Sequence, residues 1–284
     1  MQYKGGKMYK IKRYIGHGSI YLVLILFLFI SILPIFWMWM AAVKPADPLV
    51  NDPFAFPTSI TFDYIKEAWT IGKMGLYMRN SILVAVPRVA VVLLLASLAG
   101  YAFGKLKWRG RDVVFKFLLL GMMIPINAMI IPLYYNIQKL GLINSFQAMI
   151  LPYFGLSMPF ACFMMRSFFK ELPDELIESA RIDGAGKFKT WMYIMLPLTK
   201  PALTSLLIFE FMWSWNDYLL PMLMVYDDKF RTLPLGLMYF QGEYTMNTSL
   251  IAAGVTICTL PIIIVYSIFQ RNFVNGITAG ALKG

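Results

Sequence analysis

Two ionisable side chains sit in stretches that otherwise hold almost none. Arg88 lies in SILVAVPRVAVVLLLASLAG and Glu210 in ALTSLLIFEFMW. A charge inside such an apolar run is costly enough to point to a partner or a watery cavity. Arg88 is about 9 residues, roughly 13 Å, from the outer end of its run, and Glu210 about 11 residues, roughly 17 Å, from the inner end of its own. In a hydrocarbon core of about 30 Å those depths nearly coincide. The pair is expected to face each other or a shared aqueous cavity; the alternative is that each snorkels or pairs separately. Near the outer end of the Glu210 run, Trp213, Ser214, Trp215, Asn216, Asp217 and Tyr218 set aromatic rings beside amide and carboxylate groups. An interfacial aromatic belt accounts for the rings. A polyol pathway accounts for the whole group, because a sugar offers apolar ring faces to aromatics and hydroxyls to polar side chains. Asn127 and Ser157 are further candidates for such a pathway.

Other chemistries lack their residues. Cys162 and Cys258 both fall in apolar runs and His17 is the single histidine, so neither a metal cluster, a disulfide framework nor a Cys/His nucleophile pair can be assembled. Gly-Lys occurs at Gly6, Gly72, Gly104 and Gly186, but Ser or Thr never follows, so the nucleotide-cradling phosphate loop is not encoded. No catalytic residue, metal or bound cofactor is expected. The net charge of +11 would suggest nucleic acid in a soluble protein. With 59% hydrophobic and 14% charged residues and a mean hydropathy of +0.63, the chain instead belongs to the membrane class, where basic residues report topology.

The elements that must position these groups are membrane spans. A basic segment, residues 1–19, precedes the apolar run Ile20 to Val43, which is too long for a signal-peptide core of roughly 7–15 residues. Pro45, Pro48, Pro53 and Pro57 then mark an irregular connection, with a short amphipathic helix near Asp63 to Trp69. Five more spans are expected at 79–104, 114–137, 146–166, 199–224 and 249–271. Placing both termini inside puts 18 of the 26 Lys and Arg residues on the inner side, as the positive-inside bias requires. The expected fold is therefore all-α: a polytopic membrane protein of six transmembrane helices over residues 20–271, N-in and C-in, with a tail at 272–284. Gly100 and Gly104 form a GxxxG that permits close helix approach. Pro125, Pro132, Pro152 and Pro159 would free backbone groups that neighbours or a cavity must satisfy.

One long charged connection, 172–201, lies between apolar segments and falls on the inner side. Pro173 and Asp174 start a helix with acids at its positive end, and Gly184 stops it. Phe188, Trp191, Met192 and Met195 follow at i, i+3, i+4 and i+7, sharing one face until Leu196-Pro197 ends the second helix. Such a pair either packs on its own chain or forms a knob for a groove on another protein.

Glu178-Ser179-Ala180, three residues, Gly184, nine residues, then Ile194-Met195-Leu196-Pro197 resembles the E-A-A, x3, G, x9, I-x-L-P signature of ABC importer permeases, with Ser179 in place of the middle alanine. The tail pattern Q-R-x-F-V-x-G-x-T-A-G-A-x-K-G, with Phe211–Asn216 and Arg231–Gly236, is similar to the carbohydrate-uptake branch, to the shorter membrane subunit of maltose-type systems. The resemblance implies an ABC importer permease fold in a bacterial or archaeal cell membrane. It also implies a second homologous permease, two ATP-binding subunits that carry ATP and Mg, and an extracytoplasmic sugar-binding protein. Glu178, Ser179, Ala180, Asp183, Gly184, Phe188, Trp191, Ile194, Leu196 and Pro197 would dock on the ATPase. Gly276, Thr278, Gly280, Lys283 and Gly284 would reach its dimer interface. The competing reading, an ion-gradient carrier complete in one chain, is disfavoured by six spans and few intramembrane acids, since coupling ions want carboxylates or broken helices at the midplane.

Overall fold

A computed structural model describes residues 5–45, 55–57, 59–240 and 248–281, with backbone only for 5–19, 239 and 271–281. Every regular element among them is helical. The helices are α1 (Gly5–Val43), α2 (Asp63–Thr70), α3 (Met74–Gly104), α4 (Arg111–Leu120), α5 (Ile126–Lys139), α6 (Phe146–Leu156) and α7 (Met158–Glu171). They continue with α8 (Glu175–Ile182), α9 (Lys187–Leu198), α10 (Lys200–Trp215), α11 (Leu219–Met224), α12 (Leu233–Gly236) and α13 (Thr248–Ala281). The chain divides into two compact units, Met1–Ile71 with Phe240–Ile257, and Gly72–Tyr239 with Cys258–Gly284.

In the first unit α1 and α2 pack together, and the short amphipathic helix stands where its sequence places it. Lys44 is buried there because its ammonium donates to the carbonyl of Ala55 at 3.0 Å.

The second unit is built around α3, whose long buried face recurs at helical spacing through Tyr77, Ser81, Val84, Arg88, Val92, Ala96 and Gly100. Small residues let α7 approach closely. A Cβ on Gly100 would stand 2.5 Å from Cβ of Met165, and one on Gly104 would stand 3.0 Å from Cβ of Phe169. Asn80 on the same helix donates to the carbonyls of Lys229 and Arg231 at 2.9 and 2.8 Å, and Ser81 accepts from the Leu233 N–H at 2.8 Å. These bonds hold the Arg231–Gly236 segment on α3. Gly236 ends it where a Cβ would fall 2.1 Å from the Tyr77 ring.

Among the described residues, three helices are unbroken and apolar enough to cross a membrane: Ile20–Val43, Met74–Gly104 and Thr248–Gln270; the count reaches six if each bent pair is one span. Bends interrupt the spans expected from hydropathy, two of them at the prolines already noted in the sequence. Residues 114–137 are split at Pro125 into α4 and α5, 99° apart, because proline drives Ile124 into extended geometry and removes a donor. Residues 146–166 bend by 47° at Ser157, between Gly155 and Pro159. Residues 199–224 are not one helix: α10 ends at Trp215, and residues 216–218 precede the separate α11. At 16 residues α10 is about 24 Å long, and it meets α9 at 78°. The segment 272–284, expected as a distinct tail, continues α13 as far as Ala281.

Candidate functional site

The breaks in the helices bring polar groups together inside the second unit. Arg88 on α3 is only 1% exposed. Its guanidinium carbon stands 3.3 Å above the centroid of the Tyr153 ring on α6, and Nη1 is 3.7 Å from Oδ2 of Asp217, an ionic contact longer than a hydrogen bond. Tyr153 bridges the two by donating its hydroxyl to the same Oδ2 at 2.5 Å. Asp217 occupies the break between α10 and α11, where its Oδ1 also accepts the Leu220 N–H at 3.5 Å. Glu210, fully buried on α10, accepts from Ser157 Oγ at 2.8 Å. Arg88 Nε and Nη1 and Glu210 Oε1 have no hydrogen-bond partner among the described residues. The expected Arg88 and Glu210 are thus both internal, but the carboxylate in ion-pair range of Arg88 is Asp217. The partner depends on the helix break at Asn216, which the apolar count did not reveal.

Arg88, Tyr153 and Ser157 line a cleft of about 850 Å³ together with Phe160, Trp213 and apolar residues of α5 and α6. Trp213 packs edge-on against Phe160 at 5.0 Å and also borders a second cleft of about 530 Å³, which Asn216 lines. Among the pathway candidates, Ser157, Trp213 and Asn216 therefore border open space. Trp215 does not: it is buried, stacked on Phe211 at 5.2 Å, and its indole N–H donates to the Cys258 carbonyl at 3.0 Å. Its side chain lies about a half-turn around the helix from that of Trp213, since two residues rotate by roughly 200°. Asn127 is exposed at the start of α5 and does not line the Arg88 cleft. Tyr153 was missed as a site residue. Its signal was a phenol inside an apolar span, a group whose hydroxyl needs a partner when buried.

The connection 172–201 forms the expected helix, glycine turn and helix. Gly184 has φ +76°, and the chain closes α8 with two bonds, Ala185 N–H to Ala180 O at 2.8 Å and Gly184 N–H to Arg181 O at 3.1 Å. This is the Schellman pattern, which requires a left-handed residue at that point. Ser179, where the family signature has alanine, donates its hydroxyl to the Glu175 carbonyl of its own helix at 2.9 Å. Glu178 and Asp183 are exposed beside the turn.

In α9 the apolar stripe is divided. Trp191 and Met195 are buried in a cluster with Val92, Met165, Phe169 and Leu206, against which Ile194 and Leu196 also pack. Burying such side chains contributes about 2–3 kcal/mol each. Phe188 and Met192, expected on the same face, are exposed and with Tyr193 form an outward apolar crest; Ile182, at the end of α8, is also exposed. A π turn over Trp191–Met195, in which the Leu196 N–H bonds to Trp191 O five residues back, widens the angle between Met195 and Phe188. The wider turn also corrects the expected stop at Leu196-Pro197. It shifts the ladder past the missing proline donor, and the helix runs to Leu198.

Of the tail candidates, Gly276, Thr278 and Gly280 lie on the α13 backbone, whereas Lys283 and Gly284 fall outside the described residues.

Broken apolar helices around a largely apolar cleft into which a buried charge and two hydroxyl side chains are set, with an outward helix pair, are the pattern of a membrane transport component. The chain belongs to the family described as the binding-protein-dependent transport system inner membrane component, whose sequence profile matches residues 92–279. This agrees with the resemblance to ABC importer permeases carried by the loop and tail motifs. It is 30% identical to the diacetylchitobiose uptake system permease protein of Streptomyces coelicolor, over 92% of this chain and 87% of the relative. It is 32% identical to the trehalose/maltose transport system permease protein of Thermococcus litoralis, over 92% and 94%. Its fold matches a chain from the crystal structure of a bacterial ABC transporter involved in import of the acidic polysaccharide alginate. That match has a TM-score of 0.74 and 23% identity, and it covers 96% of this chain and 99% of the other.

Proposed function

We propose that this chain is one of two homologous permease subunits of an ATP-driven importer for an oligosaccharide or related carbohydrate. Both termini face the cytoplasm of a bacterial or archaeal cell. A binding protein delivers the sugar outside, and two ATPase subunits, which hold ATP and Mg, close inside. The sugar class follows the relatives, whose names specify diacetylchitobiose and trehalose or maltose uptake.

The observation that carries the coupling role is the divided stripe of α9. Trp191 and Met195 root the helix in the permease core, while Phe188, Tyr193 and Ile182 stand outward with 61%, 72% and 86% exposure. Large apolar side chains at that exposure on a rigid, capped turn suit a groove on a partner protein. Movement of the partner would pass through Trp191 and Met195 to α3, α7 and α10, altering the cleft around Arg88. In the cleft, Trp213 and Phe160 offer ring faces to a sugar while Ser157 and Asn216 offer polar contacts. Residues 276–284 are proposed as a second ATPase contact.

Co-purification from cells expressing this chain with its genomic neighbours tests the assignment. The wild type is expected to bring down a second permease and the ATPase, and Phe188→Ala with Tyr193→Ala to retain the permease and lose the ATPase. A chain that elutes alone and moves sugar in liposomes without ATP would sink the proposal in favour of an ion-coupled carrier.

A further inference from the structure

Lys105 follows α3 directly, at the start of the basic connection 105–111. Although a lysine at the end of a helix ordinarily reaches for water, its side chain is only 4% exposed. The ammonium donates to the carbonyl of Leu172 and, at 2.5 Å, to Oδ1 of Asp174. Leu172 is the residue after α7, and its carbonyl would otherwise be an unsatisfied helix-end acceptor. Asp174 directly precedes α8, and the ammonium holds its carboxyl below the usual carboxylate value of 3.8. One cation thus joins three elements at a single point: the end of the long central helix, the end of α7 and the start of the outward helix pair. Charge-assisted bonds of this kind are stronger and more directional than neutral ones.

Trp191 and Met195 anchor α9. By contrast, α8 has Ala180 as its buried residue, with Ile177 packed against the core and Leu176 half-buried, while Glu175, Glu178, Ser179, Arg181 and Ile182 are exposed. The polar tie at its N-terminal end therefore sets its orientation. We infer that Lys105 is a positioning residue for energy coupling: it makes α8 follow α3, so that a push on the outward crest moves the helix that carries Arg88. Without the tie, α8 would pivot about the Gly184 turn and dissipate the displacement locally.

This inference rests on the proposed ATPase docking, and the test separates the two. Purified complexes of this chain, the second permease, the ATPase and the binding protein are placed in liposomes, and sugar uptake and ATP hydrolysis are measured together. Lys105→Met is expected to keep the ATPase bound and basal hydrolysis unchanged. Sugar moved per ATP is expected to fall about fivefold or more, the scale of a typical coupling energy. Lys105→Arg, which keeps the charge and the donors, should restore it. Asp174→Asn, at an exposed side chain that does not threaten folding, should produce a smaller loss in the same direction. Wild-type stoichiometry in both Lys105→Met and Asp174→Asn would overturn the inference. If Lys105→Met does not assemble, Asp174→Asn alone decides. Retention of the ATPase by the Phe188→Ala, Tyr193→Ala variant would instead overturn the docking assignment itself.

Discussion

Tyr153 is the residue through which the buried charges of this permease are held. Its ring faces the Arg88 guanidinium and its hydroxyl donates to Asp217, so one side chain serves as a cation–π surface and a hydrogen-bond donor. Removing one member of such a group leaves the others buried without compensation, which commonly costs about 3–5 kcal/mol for a charged pair. A double-mutant cycle locates the energetic partner of Arg88. Arg88→Met and Asp217→Asn are expected to be strongly non-additive in thermal stability of the purified complex, by about 1 kcal/mol or more. The cycle of Arg88→Met with Glu210→Gln should give a smaller term, because Glu210 is bonded to Ser157. Equal coupling in the two cycles would contradict the arrangement.

Among the elements, α3 sets the tolerance of the fold. Its contact with α7 depends on the missing side chain of Gly100, where an added Cβ would also come within 2.9 Å of the Met165 backbone carbonyl carbon. Backbone cannot move aside as a flexible side chain can, so Gly100→Ala forces the helices apart. Overpacking of this kind costs roughly 1–3 kcal/mol. Gly184→Ala meets nothing within 4 Å and carries only the left-handed backbone penalty, about 1–2 kcal/mol. The expected contrast lies in the kind of damage. Gly100→Ala should lower the yield of folded complex and its melting temperature, whereas Gly184→Ala should leave yield near wild type and weaken ATPase retention. A normal melting temperature for Gly100→Ala would show that α3 and α7 do not pack this closely.

For the whole molecule the decisive property is orientation. The outward crest of α9 and the loop around Tyr226 are proposed to lie on opposite sides of the membrane, and both are well exposed. Cysteine placed at Phe188 should react with a membrane-impermeant maleimide only in inside-out vesicles. Cysteine at Tyr226 should react only in right-side-out ones. The two native cysteines do not obscure the readout, because Cys162 is buried and Cys258 lies half-buried within the apolar run of α13. Labelling of both sites from one side would invert the proposed topology.

Much of this architecture was legible along the chain because its causes are local. Apolar length alone marks Ile20–Val43, Met74–Gly104 and the last long helix, and Gly184 declares its turn because few other residues adopt φ +76° cheaply. The charge of Arg88 and Glu210 in apolar runs likewise announced an internal polar site. Partner choice was not legible. Arg88 meets Tyr153 and Asp217 only once α3, α6 and the break between α10 and α11 pack together, and Trp213 and Trp215, near neighbours in sequence, go to a cleft and to the core. Hydropathy and spacing record each residue's own preference for water or apolar surroundings. Which neighbours satisfy that preference is settled by packing between distant segments, as in α9, where Trp191 and Met195 go to the core and Phe188 and Met192 stay outward.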